Sequence, residues 1–454
     1  MILRIFRPPK RKKKFCFSSE QDRKKKSRFS SKQERNRNFC FAGAQKYKIR
    51  SKIWAFVIIF FIFLSCFYGR FDLSQGFVKN VAYADSETSE VEKELQDEVA
   101  SQLDNLDFSD VEEAISLLSS DAKRLFSSNS FKDKLTHVLS GDYTENSTSF
   151  FSAVMSIFWD GLKGYVPIIA SIIAISILGG MIENLKPTTN SNSIGNVVHF
   201  VTYGMVIIFL GTSLVQILAT TRSTLSTIKS AYDGIFPILL TLLTAVGGTV
   251  SVGLYQPAIA MLSNIFVSLI THILLPIFIF SCIFSLVGNM SNNVQLDKFV
   301  GFLQSLFKWA IGLCFTIFLG FISIQGIMAG SIDGLSIRTA KYAIKSYVPL
   351  VGGYVSDGFS IILASSALIK NAVGGVGLFF VFSSIISPIL HLAIFILSLK
   401  FMAGIIQPIG DKKIANFISD LSKSLSMLVG LLVAVSFLYV VMTGLVMCSA
   451  NLIV

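Results

Sequence analysis

Residues 257–288 read PAIAMLSNIFVSLITHILLPIFIFSCIFSLVG, 32 residues without one Asp, Glu, Lys or Arg. About 20 apolar residues in a helix cross the roughly 30 Å hydrocarbon core of a bilayer. This run is therefore long enough to span and too long for one untilted crossing. Pro276 lies inside it, where it removes a backbone donor and crowds the preceding turn. The sequence predicts a break near 272–276, giving either one kinked helix or two re-entrant halves.

Six further apolar runs lie at about 165–183, 196–219, 235–255, 301–323, 374–400 and 424–450. All seven are expected to be helical, because an open strand edge has no hydrogen-bond partners in lipid. Composition agrees: 52% of the 454 residues are hydrophobic, mean hydropathy is +0.63, and 15% are charged, against about 25% in soluble proteins. The fold class is all-α, a polytopic helical membrane protein with a small N-terminal extracytoplasmic helical region.

Charge divides the chain further. Residues 1–52 hold 19 Lys and Arg against 3 Asp and Glu, whereas residues 85–150 hold 5 against 16. The pI near 9.3 thus reports mainly the leader. That leader is low-complexity and precedes an apolar run, unlike the folded basic surface of a nucleic-acid binder, so no nucleic acid is expected as a partner. The run Ile53 to Gly69, followed by Ala82-Tyr83-Ala84, has signal-peptide grammar, with small side chains at Ala82 and Ala84 where a peptidase needs them. Residues 1–84 read as basic leader and signal peptide, cleaved after Ala84; the competing reading is an uncleaved anchor.

Residues 85–164 then form an acidic extracytoplasmic region. Val91, Leu95, Val99 and Leu103, then Val111, Ile115 and Leu118, recur at helical spacing. Two or three short amphipathic helices are expected, the second capped by Asp110, as a solvated domain or as a partner-docking arm. Residues 165–454 form the multi-span domain. Alternation from an outside start places 184–195 inside, 289–300 outside and 324–373 inside, and leaves Lys412, Lys413 and Lys423 outside against the positive-inside rule.

Chemistry is sparse. There is no phosphate-binding loop, no H-E-x-x-H, no G-x-S-x-G and no paired cysteines. No catalytic residue, cofactor or metal is assigned, and a non-enzyme is expected. Glu183 ends its run, and Lys308 is near enough to the end of its own to snorkel. His199, His272 and His391 stand singly in three runs, as helix-to-helix hydrogen bonders or, if they converge, as a proton relay.

The segment from Gly330 to Gly375, GSIDGLSIRTAKYAIKSYVPLVGGYVSDGFSIILASSALIKNAVGG, is neither a span nor a plain loop. Arg338, Lys341 and Lys345 share one helical face. Asp333 or Ser336 can cap its start, and Pro349 with Gly352-Gly353 can end it. It reads as an interfacial basic helix on lipid headgroups or as a dock for an acidic partner.

IRTAKYAIKSYVPLVGGYVSDG and the SSALIKNAVG that follows resemble the stage III sporulation protein AE family of endospore-forming Firmicutes, over about residues 53–454. The resemblance implies a membrane core component of the channel joining mother cell and forespore, in the mother-cell membrane surrounding the forespore. It implies partners in that channel, including a separate secretion-type ATPase, and a need for the protein in late forespore gene expression. The matching positions Arg338, Lys341, Tyr342, Pro349, Gly352 and Asp357 are candidates for docking or structure. The alternative function is a stand-alone secondary transporter, with substrate bound at broken helices near the midplane.

Overall fold

The computed structural model describes residues 88–128, 130–140, 147–184, 192–290, 296–347 and 352–449. The expected leader, signal run and cleavage site at Ala82 and Ala84 lie outside them. Every regular element among the described residues is helical. Four short helices come first: α1 Thr88–Asp104, α2 Ser109–Ser116, α3 Ser120–Phe126 and α4 Phe131–Leu139. Six long ones follow: α5 Ser147–Asn184, α6 Asn192–Ala245, α7 Thr249–Met290, α8 Asp297–Tyr347, α9 Gly352–Ile409 and α10 Lys412–Cys448. All six contain a stretch long and apolar enough to cross a membrane.

The count is six rather than seven because polar residues 220–234 do not end a helix. Arg222, Lys229 and Asp233 lie within α6, whose 54 residues at 1.5 Å each span about 80 Å. Lys229 and Asp233 pair one turn apart at 2.6 Å. The break comes later, at Gly247 with φ 88°, a conformation open to glycine. Gly248 N donates to Leu243 O and Gly247 N to Thr244 O, closing the helix with the paired bonds of a Schellman motif.

Of the two forms expected at Pro276, the structure has a single helix and not two re-entrant halves. α7 runs through the proline, with π-helical turns at Met261–Phe266 and Ile270–Leu274 and ordinary helix from Leu275 onward. Leu275 N bonds to Ile270 O, one residue wider than an α-turn. The wider turn absorbs the proline within the helix instead of breaking it.

The long helices alternate between two ends of the molecule. At one end, Gly180 abuts Gly410, Asp411 bonds His199, the Tyr203 hydroxyl donates to Leu286 O at 2.7 Å, and Gly288 faces Leu296. At the other end, Asp333 meets Val250 and Ser251, and Tyr255 meets Ser449. The helix ends at Asn184, Met290 and Ile409 therefore share one end, and those at Tyr347 and Gly352 lie at the opposite one. This reverses the expected placement of 324–373 beside 184–195, because counting an extra crossing shifted the parity.

Exposed large apolar side chains on α6 stop at Val215, and on α9 none lies between Ile362 and Leu397. The lipid belt thus belongs to the Gly410 half of the bundle. Beyond it, the short helices cover α6 and α9. Val111 and Asp110 of α2 face Gly234, the Phe126 ring packs on Phe379 and Phe380, and Gln102 exchanges hydrogen bonds with Ser365 and Ser366. The acidic region is a lid on the long helices, not a separate solvated domain. α2 starts at Ser109, and Asp107 rather than Asp110 accepts from the Ser109 amide, at 2.9 Å. That bond holds the Asp107 carboxyl below the usual range.

Candidate functional site

A cleft of about 440 Å³ with a mixed apolar and hydroxyl lining opens where α3 crosses α6 and α9. Its floor includes Leu118, Ala122, Ile217 and Leu392, and its walls carry hydroxyls of Thr220, Thr224 and Ser387. Asp121 reaches in from the first turn of α3, whose N-cap Ser119 accepts from Ala122 N at 3.2 Å. The Asp121 carboxylate sits 3.1 Å from His391 Nε2 and accepts from Ser387 Oγ at 3.4 Å. Residues 387 and 391 lie one turn apart on α9, so both address the carboxylate from the same face. Ser387 and His391 bond Asp121, with no bond between them. The group therefore fits binding and bracing better than activation of a nucleophile, which requires a base on the hydroxyl.

The three apolar-run histidines do not converge. His199 pairs with Asp411, His391 with Asp121, and His272 contacts Ser268 O, on its own helix, at 3.0 Å. Asp411 also caps α10, accepting from Lys413 N at 2.8 Å. Burial raises its pKa, but the His199 bond, the Lys413 amide and the charges of both residues together outweigh burial and leave it lowered. A depressed carboxylate adds stability above the ordinary aspartate range, lost as pH falls through the folded value. Thermal unfolding in detergent should show a loss of stability below about pH 4, and Asp411→Asn should flatten that slope.

Two further charges are buried at the opposite end. Asp333 is 1% exposed and accepts from Val250 N and Ser251 N, both at 3.1 Å, and from the Ser251 hydroxyl. Lys370 is 0% exposed and donates to Ser449 O, one residue past the end of α10. Each charge complements a helix end: an anion the N-terminus of α7, a cation the C-terminus of α10. Sequence reasoning gave Asp333 the start of a local helix; it instead caps one 82 residues away. Among the described residues no group of three His, Cys, Asp or Glu is placed to hold a metal.

The residues selected from sequence lie away from the cleft. Arg338, Lys341 and Lys345 belong to the last turns of α8, with Tyr342 72% exposed beside them, and Gly352 and Asp357 to the first turns of α9. Pro349 lies outside the described residues. These positions continue the two long helices α8 and α9.

A sequence profile described as Stage III sporulation protein AE matches residues 129–450. The chain belongs to the stage III sporulation protein AE family. The stage III sporulation protein AE of Bacillus subtilis (strain 168) is 26% identical over 325 residues, 71% of this chain and 80% of its own length. No solved structure matches. The profile covers α4 to α10, so in this stage III sporulation protein AE family member it includes both buried charges and His391, while Asp121 precedes it.

Proposed function

We propose that this sporulation protein is a non-enzymatic core component of a multiprotein channel between mother cell and forespore, set in the mother-cell membrane, with a separate secretion-type ATPase as its energy source. The observation that carries the reading is how the buried charges are used: Asp333 and Lys370 are spent on helix ends, and among the described residues no unwound helix opens at mid-span. A stand-alone transporter would bring broken helices to the midplane; here the intact α7 passes through Pro276, and the Gly247 break lies at a helix terminus.

Orientation follows from charge. Lys298, Lys412 and Lys413 lie at the Gly410 end, and the acidic short helices, which an exported N-terminal region would carry outside, cover the other half. The Gly410 end is accordingly cytoplasmic. The hairpin carrying Arg338, Lys341 and Lys345 then projects outside, where it docks an acidic partner protein. Single cysteines at 190, 295 and 412 should label from the cytoplasm, and one at 340 from outside; cytoplasmic labelling of 340 refutes the orientation. Co-purification from sporulating cells tests the assembly: the channel reading expects the ATPase and membrane partners, whereas a protein that purifies alone and transports a solute in vesicles is a transporter.

A further inference from the structure

α8 and α10 meet at a seam within the depth of the apolar belt. Gln304 Nε2 donates to Ser424 Oγ at 3.1 Å, and the Phe315 and Phe437 rings stack at 5.7 Å. Beside this seam both helices turn outward strips unsuited to lipid. On α8 the strip is Ser305, Lys308 and Gly312, all exposed, bordered on one side by the exposed apolar face of Phe302, Trp309, Leu313 and Ile317. On α10 it is Asn416, Lys423 and Gly430, and among the described residues α10 exposes no large apolar side chain at all.

The strip is charged as well as polar. Lys423 is neutralised by Asp420 at 2.6 Å, whereas Lys308 has no ion partner among the described residues. Ser305 satisfies its hydroxyl on Gly301 O at 2.8 Å, so the strip does not need water. Added methyls at Gly312 and Gly430 would meet nothing within 4 Å, leaving room for a close backbone approach. A cation exposed at membrane depth is costly and calls for a counter-charge. We propose that this flank seats a transmembrane helix of another protein, one that carries a carboxylate opposite Lys308.

The inference deepens the assembly reading above, but its test uses no cellular partner and so stands or fails separately from co-purification. Full-length protein carrying a donor dye is reconstituted in phosphatidylcholine vesicles with acceptor-labelled leucine-alanine helices. These bear a central glutamate, glutamine or lysine, and association is read by energy transfer. The glutamate helix should bind about tenfold more tightly than the glutamine helix, the scale of one good interhelical polar contact. Lys308→Met should erase that preference, and Lys308→Glu should transfer it to the lysine helix, with helical dichroism unchanged in both. Equal binding of the glutamate and glutamine helices overturns the proposal, because Lys308 then snorkels to headgroups. Energy transfer between two labelled copies of the chain that Lys308→Met abolishes also overturns it, since a second copy is then the occupant.

Discussion

Asp333→Ala is expected to unfold the end of the bundle at Tyr347 and Gly352 first. The substitution leaves the buried amides of Val250 and Ser251 and the Ser251 hydroxyl without their acceptor. Each stranded buried group costs about 1–3 kcal/mol, so a total loss of about 3 kcal/mol or more follows. That is a large share of the about 5–15 kcal/mol that holds a typical protein folded. The carboxylate also carries the negative charge that the N-terminus of α7 favours. Asp333→Asn keeps one acceptor oxygen and should lose less than the alanine variant. Thermal melts in detergent read the order; equal losses for Ala and Asn would show that shape rather than hydrogen bonding is what Asp333 supplies. Hydrogen exchange adds a second readout, because the amides of residues 249–255 should lose protection before those of 275–290.

The same residue shows where sequence reading stops. Helices in lipid are legible because every apolar run must satisfy its own backbone: the runs expected at 301–323 and 374–400 lie inside long helices, and the one expected at 424–450 is helical to Cys448. What apolarity cannot show is where a helix ends once it leaves lipid. Residues 220–234 are polar enough to resemble a loop and are helical because Lys229 and Asp233 pair along one face. Glycine pairs do not mark the ends either: Gly247-Gly248 ends a helix, whereas Gly179-Gly180 lies inside α5 and Gly374-Gly375 inside α9. Pairings across long sequence gaps were equally hidden. His199 finds Asp411 and His391 finds Asp121, 212 and 270 residues apart, and no local spacing encodes either. The six-helix parity gathers Lys412 and Lys413 with Lys298 and carries Arg338, Lys341 and Lys345 to the opposite end.

Gly180→Ala should cost more than any other single methyl addition at the Gly410 end. A Cβ at position 180 would lie 2.6 Å from the Gly410 Cα and 2.8 Å from the Ile409 carbonyl oxygen. Both are backbone atoms, which cannot swing aside as a flexible side chain can. The reciprocal position is less severe, for a Cβ on Gly410 would meet the Ile406 side chain at 2.7 Å and the backbone oxygens of Ile406 and Ser176 at 3.0 and 3.1 Å. Overpacking of this kind costs about 1–3 kcal/mol when side chains can yield, so the upper part of that range is expected here. The displaced turn carries Asp411, whose bonds to His199 and to the first turn of α10 should weaken together. The acid-sensitive share of stability should therefore shrink in Gly180→Ala as it does in Asp411→Asn. Gly164→Ala, on the same helix with nothing within 4 Å of the added methyl, is the control, and it should be neutral or stabilising because alanine favours helix over glycine. Matching melting temperatures for the two variants would remove the backbone contact between α5 and the α9–α10 turn as the feature that locks this end of the bundle.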